Sequence, residues 1–193
     1  VPDEASTENG EAELESNFEI NPLFMQTSKN VLTGGNKISY PMSDTIDLVY
    51  TVRQNAVKQD VVVNALPHMY NELPEFQNSE YFGLYERFQI PIGHELVSQD
   101  GDVLTGIELF QTSGYVSIVD SETGLEVIRI EAPFAHDASM ESEKSSEIES
   151  TYFLSVDEFG TTGSIITAIK TSSLLSEDAT LPITIDPTFT YVA

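Results

Sequence analysis

Apolar residues recur along this chain at every second position, in short runs cut by turn residues. Ile46, Leu48, Tyr50 and Val52 alternate with Thr45, Asp47, Val49 and Thr51. That spacing is the period of a strand with one buried face. Gln54-Asn55 is a short connection, and Val57, Val61 and Val63 continue the pattern, so residues 44–65 are expected to form a β-hairpin. Gly34-Gly35-Asn36 is a turn signal ahead of Lys37-Ile38-Ser39-Tyr40. Pro67 and Pro74 argue against a central strand in residues 66–79. Further strands are expected at 81–92, 103–110, 114–119, 125–130, 152–156, 164–169 and 181–185. Gln99-Asp100-Gly101-Asp102 and Glu122-Thr123-Gly124 supply turns, because glycine tolerates a positive φ there. One short helix is expected near 172–177. Many short strands with polar turns predict an all-β fold, an antiparallel β-sandwich or barrel-like body with long acidic loops and an extended N-terminal arm.

Composition divides the chain. Residues 1–20 carry Asp3, Glu4, Glu8, Glu11, Glu13, Glu15 and Glu19 without one base, and read as an acidic linker or arm. Residues 21–186 form the expected antiparallel domain. Residues 187–193 read as a linker or the first strand of a following module. A second acidic stretch, 137–149, has Lys144 as its one base and reads as a solvated loop. The opening Val1-Pro2-Asp3 has no Met, which suggests a processed or trimmed N-terminus.

The charge is extreme: 32 acids face 8 bases, a formal net charge of -24. Such a surface repels phosphate backbones and anionic lipid, so nucleic acid and membrane insertion are poor expectations. The acidity reads first as a solubility trait and second as a means of attracting cations. No run of about 18 apolar residues exists to span a bilayer. With no cysteine, disulfides, thiolate metal sites and thiol nucleophiles are excluded.

Two stretches carry a resemblance. The first is Lys37-Ile38-Ser39-Tyr40, then Asp47-Leu48-Val49-Tyr50-Thr51-Val52 and Val57-Lys58-Gln59-Asp60-Val61-Val62-Val63. The second runs from Gly124-Leu125-Glu126-Val127-Ile128 through Ala132-Pro133-Phe134 and Asp137-Ala138 to Leu181-Pro182-Ile183-Thr184-Ile185-Asp186-Pro187-Thr188. Their order, over residues 37–188, resembles the β-rich domain found upstream of DNRLRE-type modules and of YD-repeat, RHS-like regions in large secreted bacterial and archaeal surface proteins. The chain departs from that pattern at Ser173-Leu174-Leu175, where the family has a tryptophan-leucine pair, and in lacking most of the upstream segment. The resemblance implies an extracellular setting and a β fold, and brings no catalytic residues.

Candidate chemistry is thin. His68, His94 and His136 are far apart and form no zinc-binding motif. No G-x-S-x-G elbow is present, and Ser117 and Ser164 fall inside expected strands. Tyr81, Tyr85 and Arg87 share one face of a strand whose other face carries Phe82 and Phe88. The first three are candidate ligand contacts, and a carbohydrate surface is the reading for them. Asp100 and Asp102 flank a glycine and are candidate Ca2+ ligands, against the plainer role of turn formation. Asp47 and Lys58 are expected to pair across the hairpin beside Tyr50, and Asp186-Pro187 to end the last strand. The expected function is a non-catalytic structural or adhesive module of a secreted microbial surface protein, contacting copies of itself or other surface proteins. A carbohydrate-binding module, with polysaccharide as partner, is the alternative. No cofactor is expected other than Ca2+.

Overall fold

A computed structural model describes residues 32–72, 74–139 and 147–192. The expected arm and the middle of the second acidic stretch lie outside these residues. The protein is an all-β, antiparallel β-sandwich. Its larger sheet has eleven strands and its smaller sheet four.

The larger sheet begins with β1 (Leu32–Gly34), β2 (Lys37–Pro41), β3 (Ile46–Val52) and β4 (Ala56–Val63). The hairpin expected at 44–65 is β3 and β4, paired from Ile46↔Val63 to Val52↔Val57. Two four-residue helices, α1 (Met69–Glu72) and α2 (Pro74–Gln77), fill the proline-bearing stretch. The chain then lays β5 (Tyr81–Gln89) in the smaller sheet and returns to the larger with β6 (His94–Ser98). The expected strand at 103–110 is divided. Val103 makes a bridge to Val97, whereas β7 (Ile107–Thr112) belongs to the smaller sheet. The change of sheet occurs at Gly106, whose φ of +64° favours glycine.

After β7 come β8 (Val116–Asp120), β9 (Glu126–Ile130), β10 (Phe134–His136) and β11 (Glu147–Ile148) in the larger sheet. The smaller sheet is completed by β12 (Ser150–Val156) and β13 (Thr162–Lys170), in the order β5-β13-β12-β7. Helix α3 (Thr171–Leu174) stands where one short helix was expected, followed by β14 (Ile183–Asp186) and β15 (Thr188–Tyr191).

Asp186-Pro187 ends β14 as expected, but β14 is not the last strand. β14 meets β4 at Ile185↔Val61, and β15 resumes on the same strand at Thr188↔Lys58, with no change of register. Pro187 accepts a bond from the Gln59 amide through its carbonyl but has no N–H to return. Residues 187–193 read from sequence as a linker or the first strand of a following module, and 188–191 of them form β15. They lie between β4 and β9, as an inner strand of the domain's own sheet.

Two hydrophobic clusters fill the space between the sheets. One gathers Ile46, Leu48, Val61, Val63, Phe82, Ile169, Ile183 and Ile185. The other gathers Ile90, Leu96, Val116, Ile130, Tyr152, Leu154 and Ile165. Burying each large side chain contributes about 1.5–3 kcal/mol. The clusters meet at a polar seam. On β5, Leu84 packs on the first cluster and Phe88 on the second, and Glu86 lies between them.

Candidate functional site

The structure scatters the residues singled out from sequence over four places. On the solvent face of the larger sheet, Lys58 bonds Asp60 at 2.8 Å and Asp186 at 3.0 Å. Thr188 donates its hydroxyl to Asp186 at 2.8 Å. Burial alone would lower the Lys58 pKa, but its bonds to the two carboxylates outweigh that and hold it above the usual value. The expected Asp47–Lys58 pair does not form. Register places Asp47 opposite Val62 and Lys58 opposite Thr51. Asp47 instead accepts a bond from Asn64 at 2.9 Å.

The seam between the sheets holds a site that the sequence analysis missed. Gln59, almost wholly buried, donates its side-chain amide to Glu86 Oε1 at 2.8 Å. Glu86 Oε2 is buried without a hydrogen-bond partner. Desolvation pushes the Glu86 carboxyl above its ordinary range, and the Gln59 bond offsets this only in part. Tyr50 stands opposite Gln59, and its phenol is pushed up by burial, by the Glu86 charge and by Tyr40. Tyr152, fully buried, ties the sheets together by donating to the Glu131 carbonyl at 2.7 Å, and burial raises its pKa. The signal for this site was the alternation that places Glu86 on the same face as Phe82 and Phe88.

The solvent face of the smaller sheet carries the candidate ligand contacts. Tyr81, Tyr85 and Arg87 point outward from β5, opposite Lys170, Ile166 and Ser164 of β13. Tyr81 packs edge-on against Phe153, ring centroids 4.9 Å apart. Phe153 is therefore buried on the outer face rather than between the sheets. Gly83 leaves no room for a side chain, since a Cβ there would lie 2.5 Å from the Thr167 carbonyl. A cavity of about 470 Å³ opens at one end of this face, lined by Tyr81, Gln111, Thr112, Glu149 and Lys170 among others. Lys170 bonds Glu149 across its rim at 3.0 Å. Tyr85 remains exposed beside Arg87, which makes no ion pair among the described residues.

Asp100 and Asp102 sit in a tight turn rather than in a ligand cage. Both backbone amides donate to Ser98 Oγ, at 3.2 and 3.1 Å, and Gly101 takes a φ of +90°. Among the described residues, no group of three or more His, Cys, Asp or Glu side chains is arranged to hold a metal ion. The geometry therefore adds nothing to the Ca2+ expectation. His94 and His136 face the backbone carbonyls of Ile92 and Asp137. Ser164 bonds Ser155 at 2.6 Å, and Ser117 donates to Glu126 at 2.7 Å. Among the described residues, no helix is long and apolar enough to cross a membrane.

Comparison of the chain with family models, curated proteins and solved structures gives no match.

Proposed function

We propose that the protein is a non-catalytic structural or adhesive module of a secreted microbial surface protein, joined to its neighbours by strand addition. The observation that carries this reading is the open edge of β5. It is a nine-residue strand with β13 on one side and, among the described residues, no strand on the other. Thr171 donates to the Glu80 carbonyl and Ile90 to the Thr161 carbonyl, both at 2.9 Å, so even-numbered residues bond inward. The amides and carbonyls of Tyr81, Gly83, Tyr85, Arg87 and Gln89 then face outward, ready for another strand. The resemblance of residues 37–188 to β-rich domains of secreted surface proteins supports the extracellular setting.

Arg87→Pro tests the reading. It removes an outward amide while leaving the bonds to β13 in place. Concentration-dependent assembly of the wild-type chain, lost in Arg87→Pro, is the expected result by light scattering. Assembly unchanged by the substitution overturns strand addition at this edge. The cavity beside Tyr81 favours a second reading, a carbohydrate-binding module. An aromatic ring, the Gln111 amide and an ion pair converge there, a pattern suited to a neutral sugar. A glycan array with millimolar calcium should then give signal that Tyr81→Ala removes, and a blank array overturns it.

A further inference from the structure

One end of the sandwich carries an unusual amount of uncovered apolar surface. Val52, Ile92, Leu125, Phe159, Tyr191 and Val192 are all exposed, Ile92 at 98% and Phe159 at 83%. Exposed apolar side chains gathered at one end mark a candidate interaction site. Backbone bonds gather these residues at one end. Tyr191 donates to Asn55, Val192 to Val127, Asp120 to Leu125 and Ser121 to Gly93. In the smaller sheet, Ile90 donates to Thr161, and Gly106 to Asp157 beside Phe159.

Charge is divided across this end. Exposed Lys37 and Arg53 lie on the β2–β4 side. The three loops 91–93, 121–125 and 157–161 carry Glu122, Asp157 and Glu158 and contain no Lys or Arg. In the order β3-β4-β15-β9-β8, the β3–β4 turn with Arg53 and the β8–β9 turn with Glu122 are symmetrically placed about β15. The two turns are about 14 Å apart, three strand spacings.

We propose that this end docks against the same end of a second copy of the chain, related by a two-fold axis at β15. Such an axis sets Arg53 of one copy against Glu122 of the other, twice, and brings Tyr191 and Val192 together at the centre. Isologous contacts need a self-complementary patch of this kind. At physiological salt the Debye length is about 8 Å, so the net charge of the two chains is screened while pairs in contact still attract. A bilayer fits less well. Loops that enter lipid are flanked by Lys, Arg and Trp, whereas the loops here are acidic and the chain has no Trp.

Sedimentation velocity across a concentration series, at about 0.15 M salt, tests the contact on the whole chain. The wild type should dimerise. Leu125→Ser and Ile92→Ser, at exposed positions, should each weaken the dimer while leaving the circular dichroism spectrum unchanged. Arg53→Glu and Glu122→Lys should each raise the dissociation constant at least about tenfold, and the two together should restore it. A wild type that stays monomeric overturns the proposal, as does a double variant that fails to recover. Binding to phosphatidylcholine vesicles through the same residues, without dimers, also overturns it. Arg87→Pro should leave this dimer intact, which separates it from strand addition at the β5 edge.

Discussion

The larger sheet holds Lys58 and Arg129 in ion pairs on its solvent face, whereas the smaller sheet, beside the exposed Lys170–Glu149 pair, turns aromatic rings outward. Lys58 is held by two carboxylates, and Arg129 bonds Glu126 at 2.9 Å while lying 4.4 Å from the Tyr115 ring centroid. On the smaller sheet, Tyr81, Tyr85 and Arg87 stand outward beside an open edge. The backbones differ in the same sense. The long ladder of the larger sheet is interrupted at Pro187 and changes partner from β10 to β9 there. The β5–β13 ladder runs from Gln89↔Thr162 to Tyr81↔Lys170 without a shift. An interrupted, charge-paired sheet is suited to holding shape. The unshifted β5–β13 pair, with a bare edge and outward aromatic side chains, is suited to contact.

Four substitutions probe that contrast. The largest effect is expected at Tyr152, which belongs to the smaller sheet but bonds the larger one. Tyr152→Ala should lower the unfolding free energy by about 3–5 kcal/mol in urea denaturation. A much smaller loss would mean that the sheets are joined elsewhere. Next is Gly83→Val. Its Cβ meets the Thr167 carbonyl and, at 2.9 Å, Ala168 Cα, both parts of the backbone. A loss of roughly 1–3 kcal/mol is expected. A neutral result would show that β5 can shift against β13, contrary to a rigid contact face.

Lys58→Met leaves the neighbouring carboxylates Asp60 and Asp186 without their cation. Their exposures, 14% and 13%, place the site between the surface and buried limits, so a cost of about 1–2 kcal/mol is expected in the same assay. The smallest effect is at Glu86. Its folded pKa lies above the ordinary 4.5, so its contribution is fully present below that pH and is lost as pH rises through the folded value. Glu86→Gln removes the cost of burying the charge. The variant should gain on the wild type at neutral pH, and the gain should shrink as pH falls towards 4.5 in paired denaturation curves. A gain that does not vary with pH would mean that Glu86 is not desolvated by the seam.

The β3–β4 hairpin was legible because alternation and a short turn act locally. The Asp47–Lys58 pair was not, because opposite charge suggested a partner where counting from the turn places Thr51. The missing N–H of Pro187 correctly marks the end of β14. That β15 then resumes beside β4 in the same register was not legible, because its neighbours β4 and β9 lie far away in the chain. The single strand expected at 103–110 failed for the same reason, since alternation continues through a change of sheet. The faces of β5 followed from period two, and the same count placed Glu86 inside. Its tolerance there depends on Gln59, 27 positions away in the chain.

The position of β15 has a kinetic consequence. It fills the gap between β4 and β9, strands formed from residues 56–63 and 126–130. A ribosome synthesises it after every other strand among the described residues. Until then β14 covers the Val61–Val63 part of the β4 edge, the Ala56–Lys58 part is bare, and no ladder joins β4 to β9. Closure of so non-local a pairing is slow, and the uncovered part of β4 is open to aggregation until β15 is in place.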